Sequence, residues 1–285
     1  MARIHIPLAL RKLCAADPRA RPWLDSLPSS IETLRDRWSL DLGAPFPHAS
    51  FSWVAPCNYQ GTPAVLKLGL PHMEARDEIA GLKFWAGDPT AHLLASDRSL
   101  GGLLLERCLP GSSLTERAEP EQDDVIAQLL PRLWRAPPTG HPFRRLAEMV
   151  GAWCEASRAA RSRWPDSALA EEGLLAFEAL AAEPGPAVLL ATDVHAGNVL
   201  RAEREPWIVI DPKPFVGDPA YDATQHLLNC TGRLRTEPRA TVARFAALLG
   251  LDEKRVRQWT FARLAAESHG DMRERQALAR SLGCP

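Results

Sequence analysis

Asp193, Asn198 and Asp211 are the residues of this chain best suited to chemistry. Asn198 follows Asp193 by five positions, and Asp211 closes the apolar run that comes after it. This D-x-x-x-x-N arrangement with a second carboxylate at a strand end is the pattern of a phosphoryl-transfer catalytic loop. One carboxylate can orient or deprotonate an attacking hydroxyl. The amide and the other carboxylate can hold Mg²⁺ against a nucleotide's phosphates, since hard oxygen donors suit that cation. His195 beside the two aspartates does not make a zinc site, because no further His or Cys lies nearby at ligand spacing.

Local elements must carry these three groups to one place. The apolar run 188–190 predicts a strand that delivers Asp193 to a turn, and Gly197 lets the loop bend. A new strand begins at Val199 and Leu200, residues 201–206 form a charged turn, and residues 207–210 return. That hairpin predicts Asp211 beside Asn198.

Phosphoryl transfer from ATP also needs a cation on the α/β-phosphates. Lys67 ends the apolar strand 64–68, and the following helix offers Glu74 and Glu78 as partners. Glu78 is the better placed, because it lies inside the helix next to Ile79 and Leu82; Glu74 is nearer the start, where a carboxylate complements the helix dipole. The strand ending in Glu106, Arg107 and Cys108 runs into a Pro-Gly break, where the backbone of a two-lobed kinase crosses between lobes and bonds adenine. No G-x-G-x-x-G and no Walker A sequence is present. Ser50 and Ser52 stand in the hairpin region that would cover the phosphates.

The wider pattern predicts strands over 51–55, 64–68, 93–96 and 102–107, with a helix over 72–85 among them. Helices are expected over 7–16 and 28–38, and later over 121–135, 142–160, 165–182, 222–229, 240–249, 252–268 and 271–282. Strands early and helices late imply an α+β protein of two lobes, residues 1–109 and 110–285. The chain has 285 residues, 46% hydrophobic, with a formal charge of −1. Near-neutral charge argues against a nucleic-acid partner. Six cysteines without a C-x-x-C pair read as reduced thiols of a cytoplasmic protein, and no signal peptide or membrane span is visible.

Taken together, GTPAVLKLGLP, ARDEIAGLKFWAG, GGLLLERCLPGSSL, TDVHAGNVL and WIVIDPKPFVGDPAYD resemble the aminoglycoside phosphotransferase family. Within it they are similar to the streptomycin 6-phosphotransferase and hydroxyurea phosphotransferase branch. The resemblance covers nearly the whole chain. It implies a protein-kinase-like fold and ATP- and Mg²⁺-dependent transfer to a small-molecule hydroxyl. Asp193 is then the catalytic base, Asn198 and Asp211 the Mg²⁺ ligands, Lys67 and Glu78 the phosphate-binding pair, and Glu106 to Cys108 the adenine crossing. Two departures stand out. Pro-Lys follows Asp211 where protein kinases carry Phe-Gly, which counts against a protein substrate. Ala191-Thr192 replaces the His-Gly that opens the loop in many relatives, so Thr192 or His195 is expected to support the loop by hydrogen bonding. Asp222 is expected to buttress it through backbone N–H groups. For a cationic acceptor the helical lobe offers Asp218, Glu267, His269 and Asp271, with Asp218 alternatively structural. The competing readings are a kinase of a sugar, amino alcohol or other antibiotic on the same fold, and a nucleotide-binding module without catalysis.

Overall fold

The computed structural model describes residues 4–47, 51–183, 185, 187–267 and 270–283. Helices α1 (Leu8–Ala16) and α2 (Arg21–Arg37) precede strands β1 (Asp41–Leu42), β2 (Ser52–Tyr59) and β3 (Thr62–Gly69). Helix α3 (Glu78–Trp85) follows, then β4 (Leu93–Asp97) and β5 (Gly102–Glu106). These strands form one antiparallel sheet in the order β1-β2-β3-β5-β4. The β2–β3 turn places Gln60 and Gly61 at positive φ, 52° and 82°, and Asn58 Oδ1 accepts from Gly61 N at 2.9 Å. Two consecutive left-handed residues match the right-handed twist of the hairpin strands.

Side-chain alternation decides where Lys67 goes. Leu66 and Leu68 are buried in a cluster with Leu27, Ile31 and Leu34 of α2. Lys67 therefore points to the opposite face, where Leu103 and Leu105 of β5 pack on Leu82 of α3. Helix α2 lies close on β5: a Cβ at Gly102 would come within 2.4 Å of Leu34 Cδ1.

The remainder is mainly helical: α4 (Glu119–Leu133), α5 (Leu146–Ala159), α6 (Ser167–Ala182), then β6 (Val188–Leu190), β7 (Val199–Leu200), β8 (Ile208–Val209) and β9 (Phe215–Gly217). Helices α7 (Pro219–Asn229), α8 (Thr231–Thr236), α9 (Pro238–Leu249), α10 (Glu253–Ala266) and α11 (Met272–Leu282) complete it. The second half of α10 is buried on every side, from Trp259 through Ala266. It is the central helix around which this core is built. Trp85 of α3 belongs to the same core and donates to Leu133 O at 3.0 Å.

Several elements differ from expectation for local reasons. Helix α2 starts at Arg21 rather than residue 28, with Pro28 inside it. Burial of Leu27, Ile31 and Leu34, at about 1.5–3 kcal/mol each, outweighs the roughly 3 kcal/mol that a mid-helix proline costs. The helix expected over 72–85 is instead a 3₁₀ turn, Glu74–Asp77, followed by α3. Asp77 breaks it, with φ −105° and a carboxylate that accepts from Arg144 Nε at 2.8 Å. Helix α5 begins at Leu146, where the Glu148 carboxylate accepts from Arg145 N at 3.1 Å. Helix α7 begins three residues early because Asp218 caps it and Pro219 takes its first position. Strands β1 and β9 and helix α8 are too short to leave a periodic signature. No helix among the described residues is long and apolar enough to cross a membrane.

Candidate active site

Strand β6 ends at Leu190, and the chain turns at once into Asp193. Asp193 N donates to Ala191 O at 2.7 Å, which forces Thr192 to φ 48°. A β-branched residue is costly there. The turn is held from below by Asp222 of α7, which is fully buried. Its carboxylate accepts from Thr192 N at 2.7 Å, Ala191 N at 3.1 Å and Trp134 Nε1 at 3.0 Å. Burial raises the Asp222 pKa to about 6 in spite of those three donors. Thr192 Oγ1 donates to Lys213 O at 2.6 Å, tying the turn before Asp193 to the segment after Asp211. His195 instead supports its own loop: Nδ1 accepts from Gly197 N at 3.1 Å, and Nε2 lies 3.9 Å from Asp193 Oδ1, beyond hydrogen-bond reach. Burial lowers the His195 pKa.

The structure brings Asn198 to Asp193. Asn198 Nδ2 donates to Asp193 O at 3.0 Å and to Oδ2 at 3.3 Å. The hairpin of β7 and β8 returns the chain, and Ile210 N donates to Asn198 O at 2.9 Å. Asp211 is the next residue, at φ 55°. Lys67 Nζ reaches across from β3, 2.5 Å from Asp211 Oδ1 and 2.6 Å from Glu78 Oε1. Glu74 is used elsewhere, accepting from Trp153 Nε1 at 3.0 Å.

Charge state follows from this packing. Burial opposes the charge on Lys67, but Glu78 and Asp211 raise its pKa above the ordinary lysine value. Burial also opposes the charge on Asp211, yet Lys67 and Lys213 outweigh it and hold that carboxyl at about 2. Asp193 goes the other way. Desolvation raises its pKa to about 6 against the pull of Lys213, with the Asp211 charge adding to the rise. Two carboxylates with pKa values driven apart are what acid–base division of labour requires. Asp211 stays ionised beside Asn198, and together they offer hard oxygen donors that fit a divalent cation. Asp193 is poised to take a proton near neutral pH.

The other expected residues have these surroundings. Glu106 accepts from Arg204 Nη2 at 2.7 Å, Arg107 is exposed, and burial raises the Cys108 thiol to about 11. Ser52 pairs in register with Gly69 at the end of the β2–β3 ladder. Three acidic candidates for binding a cationic acceptor are engaged within the protein. Asp218 caps α7 at Ala220 N, 2.9 Å, and accepts from Arg255 Nε at 2.7 Å and Trp259 Nε1 at 2.8 Å. Glu267 is buried, pairs with Arg263 Nε at 2.5 Å, and also pairs with Arg275. Asp271 caps α11 through Arg273 N and Glu274 N. Ser50 and His269 lie outside the described residues.

Two site residues escaped the sequence reading. Gln225 Nε2 donates to Asp193 Oδ1 at 2.8 Å. Gln225 is three positions after Asp222 on α7, so an i, i+3 argument from the expected buttress points to it. Lys213 is 7% exposed and forms an ion pair with Asp211. A separate buried cluster of Asp123, His226 and Cys230 has the residue types of a metal site. Asp123 already accepts from Arg233 at 2.8 and 3.0 Å and from Arg244 at 3.1 Å. Two guanidinium groups there disfavour a cation, and the cluster reads as structural.

Comparison with known proteins agrees with this geometry. Residues 37–275 match the family model described as aminoglycoside/hydroxyurea antibiotic resistance kinase. The chain is 36% identical to a streptomycin 6-kinase of Streptomyces glaucescens over 292 residues, covering 97% of this chain and 93% of that protein. It is also 36% identical to a hydroxyurea phosphotransferase of Kitasatospora aureofaciens over 253 residues, covering 86% of this chain and 73% of that one. Among solved structures, an aminoglycoside phosphotransferase in ternary complex with ADP and hygromycin B superposes with a TM-score of 0.59. It is 14% identical, and the match covers 88% of this chain and 96% of that one. The fold is thus the protein-kinase-like α+β fold expected from the sequence.

Proposed function

The chain belongs to the aminoglycoside/hydroxyurea antibiotic resistance kinases, and from that premise we propose that it transfers the γ-phosphoryl group of ATP to a hydroxyl of an aminoglycoside-type antibiotic such as streptomycin. The observation that carries this reading is the meeting of Asp193, Asn198, Asp211 and the Lys67–Glu78 pair at one place, although they come from four separate segments. The match to a streptomycin 6-kinase over nearly the full length supports the acceptor class. We assign residues 1–109 to the nucleotide and residues 110–285 to the acceptor. The Glu106 side chain is engaged by Arg204, so recognition of adenine falls to the backbone of residues 106–108. Ser52, at the end of the β2–β3 ladder, is assigned to the phosphates. The described cysteines are free thiols, which suits a cytoplasmic enzyme.

The mechanism follows from the charge states. Lys67, held by Glu78, binds the α/β-phosphates. Asn198 and Asp211 would hold Mg²⁺, which supplies charge neutralisation of the triphosphate when bound. Asp193 accepts the proton of the acceptor hydroxyl as its oxygen bonds to the γ-phosphorus. The bond from that phosphorus to the β,γ-bridging oxygen breaks, and ADP leaves with the electron pair. Gln225 and Asn198 fix the Asp193 carboxylate for this task. The transition state is loose, so positioning and charge dominate over covalent chemistry.

The test is an ADP-release assay with Mg²⁺·ATP against streptomycin, hydroxyurea, simple sugars and amino alcohols, with mass spectrometry of the products. Streptomycin carrying one added phosphoryl group is the expected outcome. Turnover of an amino alcohol or sugar with streptomycin untouched would move the acceptor to another class. ATP binding without phosphorylation of any alcohol would make the chain a nucleotide-binding module.

A further inference from the structure

Lys213 sits where a kinase of this design has use for a second positive charge. Its backbone is fixed on both sides. Lys213 N donates to Ala191 O at 2.7 Å, and its carbonyl accepts the Thr192 hydroxyl at 2.6 Å. Both contacts come from the turn that presents Asp193. Buried prolines, Pro212 and Pro214, flank it and restrict the backbone further. The lysine is thereby anchored between the two loops that carry Asp193 and Asp211.

Its partner is the telling feature. Lys213 and Lys67 both bond the same oxygen, Asp211 Oδ1. Lys67 has Glu78 as well. Lys213 has Asp211 as its one ion pair among the described residues. Once Asp211 is committed to a divalent cation, Lys67 keeps Glu78 in direct contact, whereas Lys213 keeps no ion pair among the described residues and feels only the charge of Asp193. A buried ammonium without a partner is strongly unfavourable. An anion must then be found between Asp211 and Asp193, and the anion that reacts there is the γ-phosphoryl group.

We propose that Lys213 is a catalytic residue that turns from Asp211 to the transferring γ-phosphoryl group and stabilises its charge, a lysine working in the manner of an arginine finger. This rests on the kinase reading above and deepens it. The lysine keeps its proton throughout and forms no covalent bond. The acceptor's proton still goes to Asp193 and the bond's electron pair still leaves with ADP. The Pro-Lys that replaces Phe-Gly after Asp211 thereby acquires a function of its own.

The experiment compares Mg²⁺·ADP with the β,γ-imido analogue of Mg²⁺·ATP by calorimetric titration of the wild type, K213M and K213R, with thermal melts of all three. K213M is expected to lose about tenfold or more in affinity for the imido analogue, the worth of one charge-assisted hydrogen bond. Its affinity for Mg²⁺·ADP should change by less than about threefold, within the scatter of neutral substitutions. Turnover should fall by about 10³-fold or more if the lysine matches an arginine finger. K213R should recover part of the discrimination between the two nucleotides, and it serves as the test variant if K213M melts below the assay temperature. Equal weakening of both nucleotides would make Lys213 a counterion of Asp211 only, and an unchanged affinity for the imido analogue would remove it from the phosphoryl group. A wild type that neither distinguishes the nucleotides nor phosphorylates any alcohol overturns the kinase reading, and this proposal with it.

Discussion

Gln225 donates its side-chain amide to Asp193 Oδ1 across 2.8 Å, while Asn198 holds the other oxygen at 3.3 Å. The base is therefore oriented from two sides by neutral groups that leave its charge intact. Gln225→Leu should lower kcat by about tenfold through loss of alignment, with the KM for ATP nearly unchanged. Steady-state kinetics at saturating acceptor checks this, and a change confined to KM would assign Gln225 to binding instead. Gln225→Glu should push the Asp193 pKa higher still, because a like charge at that distance disfavours ionisation.

The pKa of about 6 at Asp193 makes two pH statements. First, a base must be deprotonated, so kcat/KM should fall about tenfold per unit below pH 6 and level off above it. Second, the folded pKa lies above the ordinary carboxylate value, so the folded state binds the proton more tightly. That contribution to stability is present below the ordinary pKa and lost as pH rises through 6. Asp193→Asn should then lose about 10²–10⁴-fold in turnover and yet be more stable than the wild type at pH 8, by at most about 3 kcal/mol. The gain should shrink toward pH 4. Denaturant melts at the two pH values decide it, and a variant less stable at pH 8 than the wild type contradicts the assignment.

Asp222 carries the catalytic turn on three donors, two of them backbone N–H groups. Asp222→Ala leaves all three buried without an acceptor, at about 1–3 kcal/mol each. A loss of at least about 3 kcal/mol is expected in urea unfolding. Activity should fall further than stability alone explains, because Thr192 then keeps its positive φ only through the contacts with Lys213 and the bond from Asp193 N to Ala191 O. A near-neutral variant would show that the turn is held by other contacts.

Gly81 packs α3 against the segment after Asp211. A Cβ there would stand 2.9 Å from Pro214 Cγ and 2.8 Å from Trp85 Cζ3. Helix propensity alone says that Gly81→Ala gains about 1 kcal/mol. Overpacking should reverse the sign, with a loss of about 1–3 kcal/mol. The same displacement separates Glu78 from the Asp211 segment, so Mg²⁺·ATP should bind more weakly. A melt and a nucleotide titration on one preparation test both parts. A more stable protein with unchanged affinity would mean that the contact yields freely.

Sequence alone determined what is local in the chain. Asp193 and Asn198 share one loop, and a single hairpin separates them from Asp211, so spacing and strand periodicity suffice to bring them together. Lys67 and Glu78 are likewise legible, since strand alternation gives one its face and the helix gives the other its side. The two-lobed α+β architecture follows from the order of period-2 and period-3.6 segments, and the composition of the motifs carried the family. Tertiary structure decided the rest, because it depends on which distant groups meet. Asp218 is a carboxylate that looks available in the sequence, and Arg255 and Trp259, far along the chain, already engage it; Glu267 and Asp271 are taken by nearer groups, Arg263 and Arg275 for one and the start of α11 for the other. Gln225 and Lys213 gain their place only once α7 and the Pro-Lys-Pro segment are packed against the catalytic turn. Burial, which sets Asp193 near 6 and Asp211 near 2, is a property of that packing and of no single stretch of chain.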